Sequence, residues 1–116
     1  MANDGYTEPY EHIGDSARDI ARAMKSLREE LEATDYYHQR AQTVCDPELK
    51  KILEHNRDEE KEHAVMLMEW LRRNMEGWDK ELREYIFTAA PITEIEDAGS
   101  GAEETGGGAS LGIGKP

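Results

Sequence analysis

Apolar positions in the first half of the chain recur with a helical period. They step by threes and fours in a heptad-like seam, which is typical of an amphipathic helix. The seam positions are Ile13, Ala17, Ile20, Met24, Leu27, Leu31, Thr34, His38 and Ala41. We therefore predict a first helix that begins at Asp15 or Ser16, either of which can cap it, and that runs to about Val44.

A second helical pattern begins at Pro47. Asp46 suits the N-cap, and Pro47 suits the first helical position because its missing N–H would have no partner there. We predict that this helix runs from Pro47 to about Met75 and that Gly77 ends it. Its seam is Leu49, Leu53, Asn56, Glu60, His63, Leu67, Trp70 and Asn74, widened by Ile52 and Leu71.

The two patterns together predict an all-α fold. Two helices joined by a tight turn form an antiparallel hairpin, and a short third helix is predicted from Asp79 to about Phe87, before Pro91. Such a hairpin leaves an apolar stripe uncovered, so another element has to cover it. We expect two copies to pair into a four-helix bundle, and the protein to be at least a homodimer.

Composition divides the chain into three parts. Seven of the ten glycines follow residue 98, so residues 98–116 are predicted to be a flexible tail, which carries two isolated apolar residues, Leu111 and Ile113. Residues 1–14 form an N-terminal segment and residues 15–97 the helical domain. A domain this short buries little surface alone, and oligomerisation or a metal often compensates.

Charge limits the classes of partner. The net charge of −12 argues against nucleic acid or an anionic membrane surface and favours a protein that attracts cations. No apolar run approaches the roughly 20 residues of a membrane span. We expect no secretory signal at the start of the chain. The lone Cys45 excludes an internal disulfide and is typical of a reducing cytosol.

The segment RDEEKEHA, residues 57–64, contains the first candidate site. On a helical wheel Glu60 falls among the seam leucines, and His63 lies about 60° to one side. These two side chains are predicted to face the core. Their acidic and basic neighbours point sideways or outward; they are Asp58, Glu59, Lys61 and Glu62.

The first helix repeats this anomaly. Glu30 lies on the flank of the seam, and Tyr37 follows it by two turns on the same side. On another, outward face the wheel groups Glu29, Glu32 and Tyr36.

A pair of core-facing carboxylates requires compensation, because a buried and unpaired charge is costly. Glu60-x-x-His63 offers an oxygen and a nitrogen one turn apart, and a two-fold dimer would hold four glutamates and two histidines. That is the ligand set of ferritin-like di-iron bundles. Oxygen and imidazole ligands suit iron or manganese, with zinc as a further candidate. The alternative is a buried polar pair that only fixes helix register.

Two segments of the chain also resemble a known family. LREELEATDYYHQR and DPELKKILEHNRDEEKEHAVMLMEWLRRN are similar to the encapsulated ferritins, two-helix ferritin-like cargo proteins of encapsulin nanocompartments, over residues 25–96. The resemblance implies a ferroxidase that oxidises Fe(II) with oxygen at a di-iron centre shared across a dimer interface. It also implies a ring of ten chains and iron storage and detoxification inside a cytoplasmic encapsulin shell.

The resemblance assigns roles to individual residues. Glu60 and His63 match terminal iron ligands, Glu30 matches a ligand that bridges two irons, and Tyr37 matches a tyrosine beside the centre.

The resemblance also implies an outer site that holds iron on its way in. This site matches Glu29, Glu32 and Tyr36, although relatives often have Trp at position 36. The tail ASLGIGKP, residues 109–116, resembles the signal that docks cargo on the encapsulin shell, although other signals continue a little further.

Two rival functions remain open from the sequence. A non-enzymatic scaffold would use the polar seam residues only to specify pairing. A rubrerythrin-like peroxidase would use the same ligands with hydrogen peroxide. A haemerythrin-like oxygen carrier is disfavoured, because its centre needs several histidines from each chain.

Overall fold

A computed structural model of the protein describes residues 5–96, and these residues contain helices and no strand. A 3-10 turn at Tyr10–His12 precedes α1 (Asp15–Thr43), α2 (Pro47–Asn74) and α3 (Trp78–Tyr85), and residues 92–96 are also helical. The helices α1 and α2 pack against each other. The predicted all-α class and the two-helix hairpin are confirmed, and dimerisation stays a prediction. Within these residues no helix has both the length and the apolar character that a membrane span requires.

The start of α2 agrees with the prediction, whereas the start of α1 does not. The Asp46 carboxylate accepts a hydrogen bond of 2.8 Å from the Leu49 N–H, as an N-cap should. At α1 the N-cap is Gly14, and no side chain caps the helix, so the prediction of a cap at Asp15 or Ser16 is wrong. Asp15 is already helical, and its negative charge there favours the helix N-terminus through the macrodipole.

The end of α2 agrees with the prediction of about Met75. The helix ends at Asn74, and Gly77 adopts φ 99° as the N-cap of α3. Gly77 therefore begins the next helix rather than directly ending α2. Phe87 has φ 63°, a left-handed conformation that a helix cannot contain, and α3 ends before it at Tyr85. The described residues form two compact units, one ending at Asn74 and one beginning at Met75.

The core of the hairpin is small. Among the described residues the buried apolar side chains are Ala23, Ala41, Ala64 and Leu71. Alanines let the two helix backbones approach closely, but they remove little apolar surface from water. Large apolar side chains stay exposed on both helices; they are Leu31, Leu49, Ile52, Val65, Met66 and Met68. A single hairpin therefore leaves much of its apolar surface uncovered.

A polar contact between Arg57 and His38 also joins the two helices outside this core. The Arg57 guanidinium of α2 lies 3.2 Å from Nδ1 of His38 on α1. Because arginine only donates, this bond needs His38 to accept at Nδ1. His38 is exposed in the single chain, so it is not buried in the hairpin core, and its predicted place at an interface stays a prediction.

Glu69 on α2 belongs to an acid-sensitive charge cluster. It accepts hydrogen bonds of 2.8 Å from Nε and from Nη2 of Arg72 and one of 2.7 Å from Nε of Arg73. These bonds hold the pKa of Glu69 at about 2, below its ordinary value of 4.5. A depressed folded-state pKa stabilises the fold above the unfolded pKa, and this contribution is lost as the pH falls from 4.5 through about 2.

We therefore expect Glu69→Gln to lower the melting temperature at neutral pH by a few degrees at most, as an exposed ion pair allows. The difference from the unaltered protein should shrink below pH 4.5 and vanish near pH 2. Thermal melts by circular dichroism across this range would measure it. A difference that stays constant down to pH 2 would contradict the assignment.

Candidate metal centre

Three side chains that the sequence analysis selected lie together between α1 and α2. Nδ1 of His63 is 3.2 Å from Oε1 of Glu60, which precedes it by one turn of α2. The same nitrogen is 3.5 Å from Oε1 of Glu30 on α1. One ligand atom from each of the three residues lies within 4.8 Å of the others. Two opposite ligands of a single cation are separated by about 4.2 Å, so a small contraction would let all three bind one ion.

The packing of the hairpin brings these residues together. Glu30 shares its face of α1 with Ala23, and Glu60 shares its face of α2 with Ala64 and Leu71. Because the buried residues on both sides include alanines, the helices approach closely enough for a carboxylate of α1 to contact an imidazole of α2. The contact therefore depends on the register of the two helices as well as on the residues themselves.

The cluster is covered on one side and open on the other. The side chains of Glu30 and Glu60 are 25% and 23% exposed, and that of His63 is 44% exposed. Oε1 of Glu30 is nevertheless buried, and it has no hydrogen-bond partner within the described part of the chain. A buried acceptor without a donor is costly, and a bound cation would satisfy it. The donor set therefore fits a metal ion.

The charges of the cluster also favour a bound cation. When Glu30 is protonated it can donate a hydrogen bond to Glu60, which raises the pKa of Glu30, and burial and the charge of Glu60 raise it further. The same bond is the main cause that lowers the pKa of Glu60. A hydrogen bond with Glu60 also raises the pKa of His63, and the nearby Glu30 charge adds to the shift. The cluster thus favours added positive charge, which a proton or a divalent cation can supply.

The predicted outer residues lie on the exposed surface of α1. The Tyr36 hydroxyl donates a hydrogen bond of 3.1 Å to Oε2 of Glu32, and this bond raises the pKa of Tyr36. Glu29 is exposed as well. Tyr37 is half-buried, and the Arg40 guanidinium lies 5.5 Å from the centre of its ring. The structure thus brings Glu32 and Tyr36 into contact.

Glu59 is a neighbour of the site that the sequence analysis did not select. Its Oε1 lies 4.0 Å from Nε2 of His63, on the side of the ring away from Glu30 and Glu60. Its other oxygen lies 3.9 Å from Nε2 of His55. The spacing of four residues between His55, Glu59 and His63 places them along one flank of α2 and could have identified Glu59. The predicted docking segment, residues 109–116, lies outside the described residues.

Comparisons with known proteins agree with this architecture. The family model described as EncFtn-like matches residues 5–89. A ferritin-like protein of Thermotoga maritima is 58% identical over 112 residues, which cover 97% of each chain. An encapsulated ferritin-like protein of Rhodospirillum rubrum is 52% identical over 105 residues, which cover 90% of this chain and 75% of that protein.

A solved structure is also similar. The crystal structure of protein ne0167 from Nitrosomonas europaea superposes with a TM-score of 0.74 at 60% identity, covering 77% of this chain and 98% of that one. The matched family segment includes both long helices and all three residues of the candidate metal centre. The family that the sequence motifs indicated is thereby confirmed, and the chain belongs to the EncFtn-like family of encapsulated ferritins.

Proposed function

We propose that the protein is a ferroxidase that oxidises Fe(II) to Fe(III) with oxygen at a di-iron centre. The observation that carries this proposal is the group formed by Glu30, Glu60 and His63, in which a buried carboxylate oxygen of Glu30 has no hydrogen-bond partner among the described residues. Hard oxygen ligands with one imidazole suit iron, and membership of an encapsulated ferritin family supports iron as the substrate.

The charge of the cluster is compatible with a centre shared by two chains. One chain offers two carboxylates and one imidazole, and the two carboxylates neutralise a single divalent ion. A two-fold pair offers four carboxylates and two imidazoles, which suit two Fe(II) ions. The open side of the cluster and the uncovered apolar residues of α2 give a second copy a surface to cover. We extend the proposal to a homodimer and to a ring of ten chains.

Each ligand residue has a separate task in the proposed centre. Glu60 and His63 of each chain would together bind one iron as terminal ligands. Glu30 would bridge the two irons. Each Fe(II) gives one electron to oxygen, and carboxylates favour the product because their negative charge stabilises Fe(III) more than Fe(II). Tyr37 would lie beside the centre.

Iron would arrive through the outer surface formed by Glu29, Glu32 and Tyr36.

The proposed setting is an encapsulin shell in the cytoplasm. The relative from Rhodospirillum rubrum is called an encapsulated ferritin-like protein, which supports the same association here. Residues 109–116 would dock on the shell through Leu111 and Ile113. The shell would retain the oxidised iron, which serves storage and detoxification.

Native mass spectrometry tests the shared centre directly. Metal-free protein should gain two irons for each dimer when Fe(II) is added without oxygen. A mass distribution that does not respond to iron would favour the scaffold interpretation. Comparing oxygen with hydrogen peroxide as the oxidant would separate a ferroxidase from a rubrerythrin-like peroxidase.

Substitution of His63 tests the ligand assignment. We expect His63→Ala to lower the initial rate of Fe(II) oxidation by about 100-fold or more, since loss of a residue that only supports a ligand already costs about 10–100-fold. Helix content should stay unchanged because His63 is 44% exposed and fills no core position. The matched control is His12→Ala, at an exposed residue outside the hairpin helices. Equal oxidation rates in both variants would exclude His63 as a ligand.

A further inference from the structure

The two nitrogens of the His63 ring face different groups. Nδ1 faces the cluster, at 3.2 Å from Glu60 and 3.5 Å from Glu30. Nε2 faces outward, at 4.0 Å from Oε1 of Glu59. The ring orientation therefore presents Nδ1 as the atom that would bind a metal, and it leaves Nε2 directed at a carboxylate.

This arrangement matters because a neutral imidazole carries a proton on only one nitrogen. Metal binding at Nδ1 needs the tautomer with the proton on Nε2. A carboxylate that accepts the Nε2 proton in a hydrogen bond favours that tautomer, fixes the plane of the ring and makes Nδ1 a better donor. Metal-binding histidines in proteins commonly have such a partner.

We propose that Glu59 is a positioning residue of the metal centre, which accepts a hydrogen bond from Nε2 of His63 and thereby presents Nδ1 to the metal. This inference rests on the proposed function, because it assumes that the cluster binds metal.

The local geometry supports the contact that the inference needs. The separation of 4.0 Å exceeds a hydrogen bond by about 1 Å. Glu59 and His63 lie one turn apart on the same face of α2, and their side chains are 48% and 44% exposed, so a small rotation of either can close the gap. Nε2 of His55 lies 3.9 Å from the other oxygen of Glu59, on the same flank of α2.

Binding of Co(II) without oxygen tests the inference independently of iron oxidation. Co(II) accepts the same oxygen and imidazole ligands, and its visible absorption reports the ligands that surround it. The full chain would be titrated as the unaltered protein, as Glu59→Ala and as Glu59→Gln. The control is Glu62→Ala, which removes an exposed acid of the same helix.

A positioning role predicts a specific pattern of affinities. Glu59→Ala should bind Co(II) about 10–100-fold more weakly, with the same number of ions and the same absorption bands. Glu59→Gln should recover most of the affinity, because its amide oxygen accepts the same hydrogen bond. Glu62→Ala should bind like the unaltered protein.

Other outcomes would overturn the inference. Equal affinity in Glu59→Ala and Glu62→Ala would show that Glu59 is only a solvated acid. Fewer bound ions or shifted bands, without recovery in Glu59→Gln, would make Glu59 a direct ligand. Failure of the unaltered protein to bind Co(II) would remove the metal centre itself, and the proposed function with it.

Discussion

Replacing Glu30 by glutamine is expected to abolish tight iron binding and, at the same time, to stabilise the metal-free protein. Glutamine has nearly the shape of glutamate but cannot supply the negative charge of a metal ligand. In the metal-free cluster that charge is unfavourable, because Glu30 lies against Glu60 and both are partly covered. Binding and stability should therefore change in opposite directions, as is common at functional sites.

The experiment compares the unaltered protein, Glu30→Gln and the exposed control Glu62→Gln at pH 8, well above the ordinary pKa of a glutamate. Without metal, Glu30→Gln should melt several degrees higher, since about 1 kcal/mol shifts the melting temperature by roughly 4–8 °C in a domain of this size. Its affinity for Fe(II), measured by titration calorimetry without oxygen, should fall by about 100-fold or more.

The scaffold interpretation makes the opposite prediction for this variant. If Glu30 only specified packing through a polar contact, its replacement would lower the melting temperature and leave iron binding unchanged. The metal centre would therefore be excluded if Glu30→Gln had a lower melting temperature than the control and an unaltered affinity for Fe(II).

The helices could be predicted from the sequence because their signals are local. Asp46 and Pro47 define the start of α2 through a capping bond within three residues, and the structure contains that bond. At α1 the local signals were ambiguous, since an acidic residue is favourable both as a cap and in the first turn, and Asp15 takes the second role. The end of α3 depends on the extended backbone of Ile86, which periodicity does not indicate.

The candidate site was predictable only in part. A wheel shows that Glu60 and His63 share a face, but the distance from His63 to Glu30 depends on the register of two helices, and packing sets that register. The helical wheel also places Glu59 on an outward face, so Glu59 was not among the predicted site residues. A histidine that binds through its inner nitrogen directs the other one outward, however, so its supporting residue belongs on the solvent side.

Fe(II) added without oxygen is expected to raise the melting temperature of the protein strongly. A ligand that binds only the folded state stabilises it by about 2.7 kcal/mol at 100 times its dissociation constant, which corresponds to roughly 10–20 °C in a domain of this size. The effect should be large here because the ion removes the repulsion between Glu30 and Glu60 and satisfies the buried oxygen of Glu30.

Calorimetric scans with increasing Fe(II) would measure this shift, at one fixed protein concentration because dissociation of a dimer also affects the melting temperature. His63→Ala should show little of it, and Mg(II) should stabilise less than Fe(II), because Mg(II) has no preference for imidazole. With a net charge of −12, the chain also attracts cations to its whole surface. An equal shift in His63→Ala would therefore assign the bound iron to that surface, and only a shift that depends on His63 supports the centre between α1 and α2.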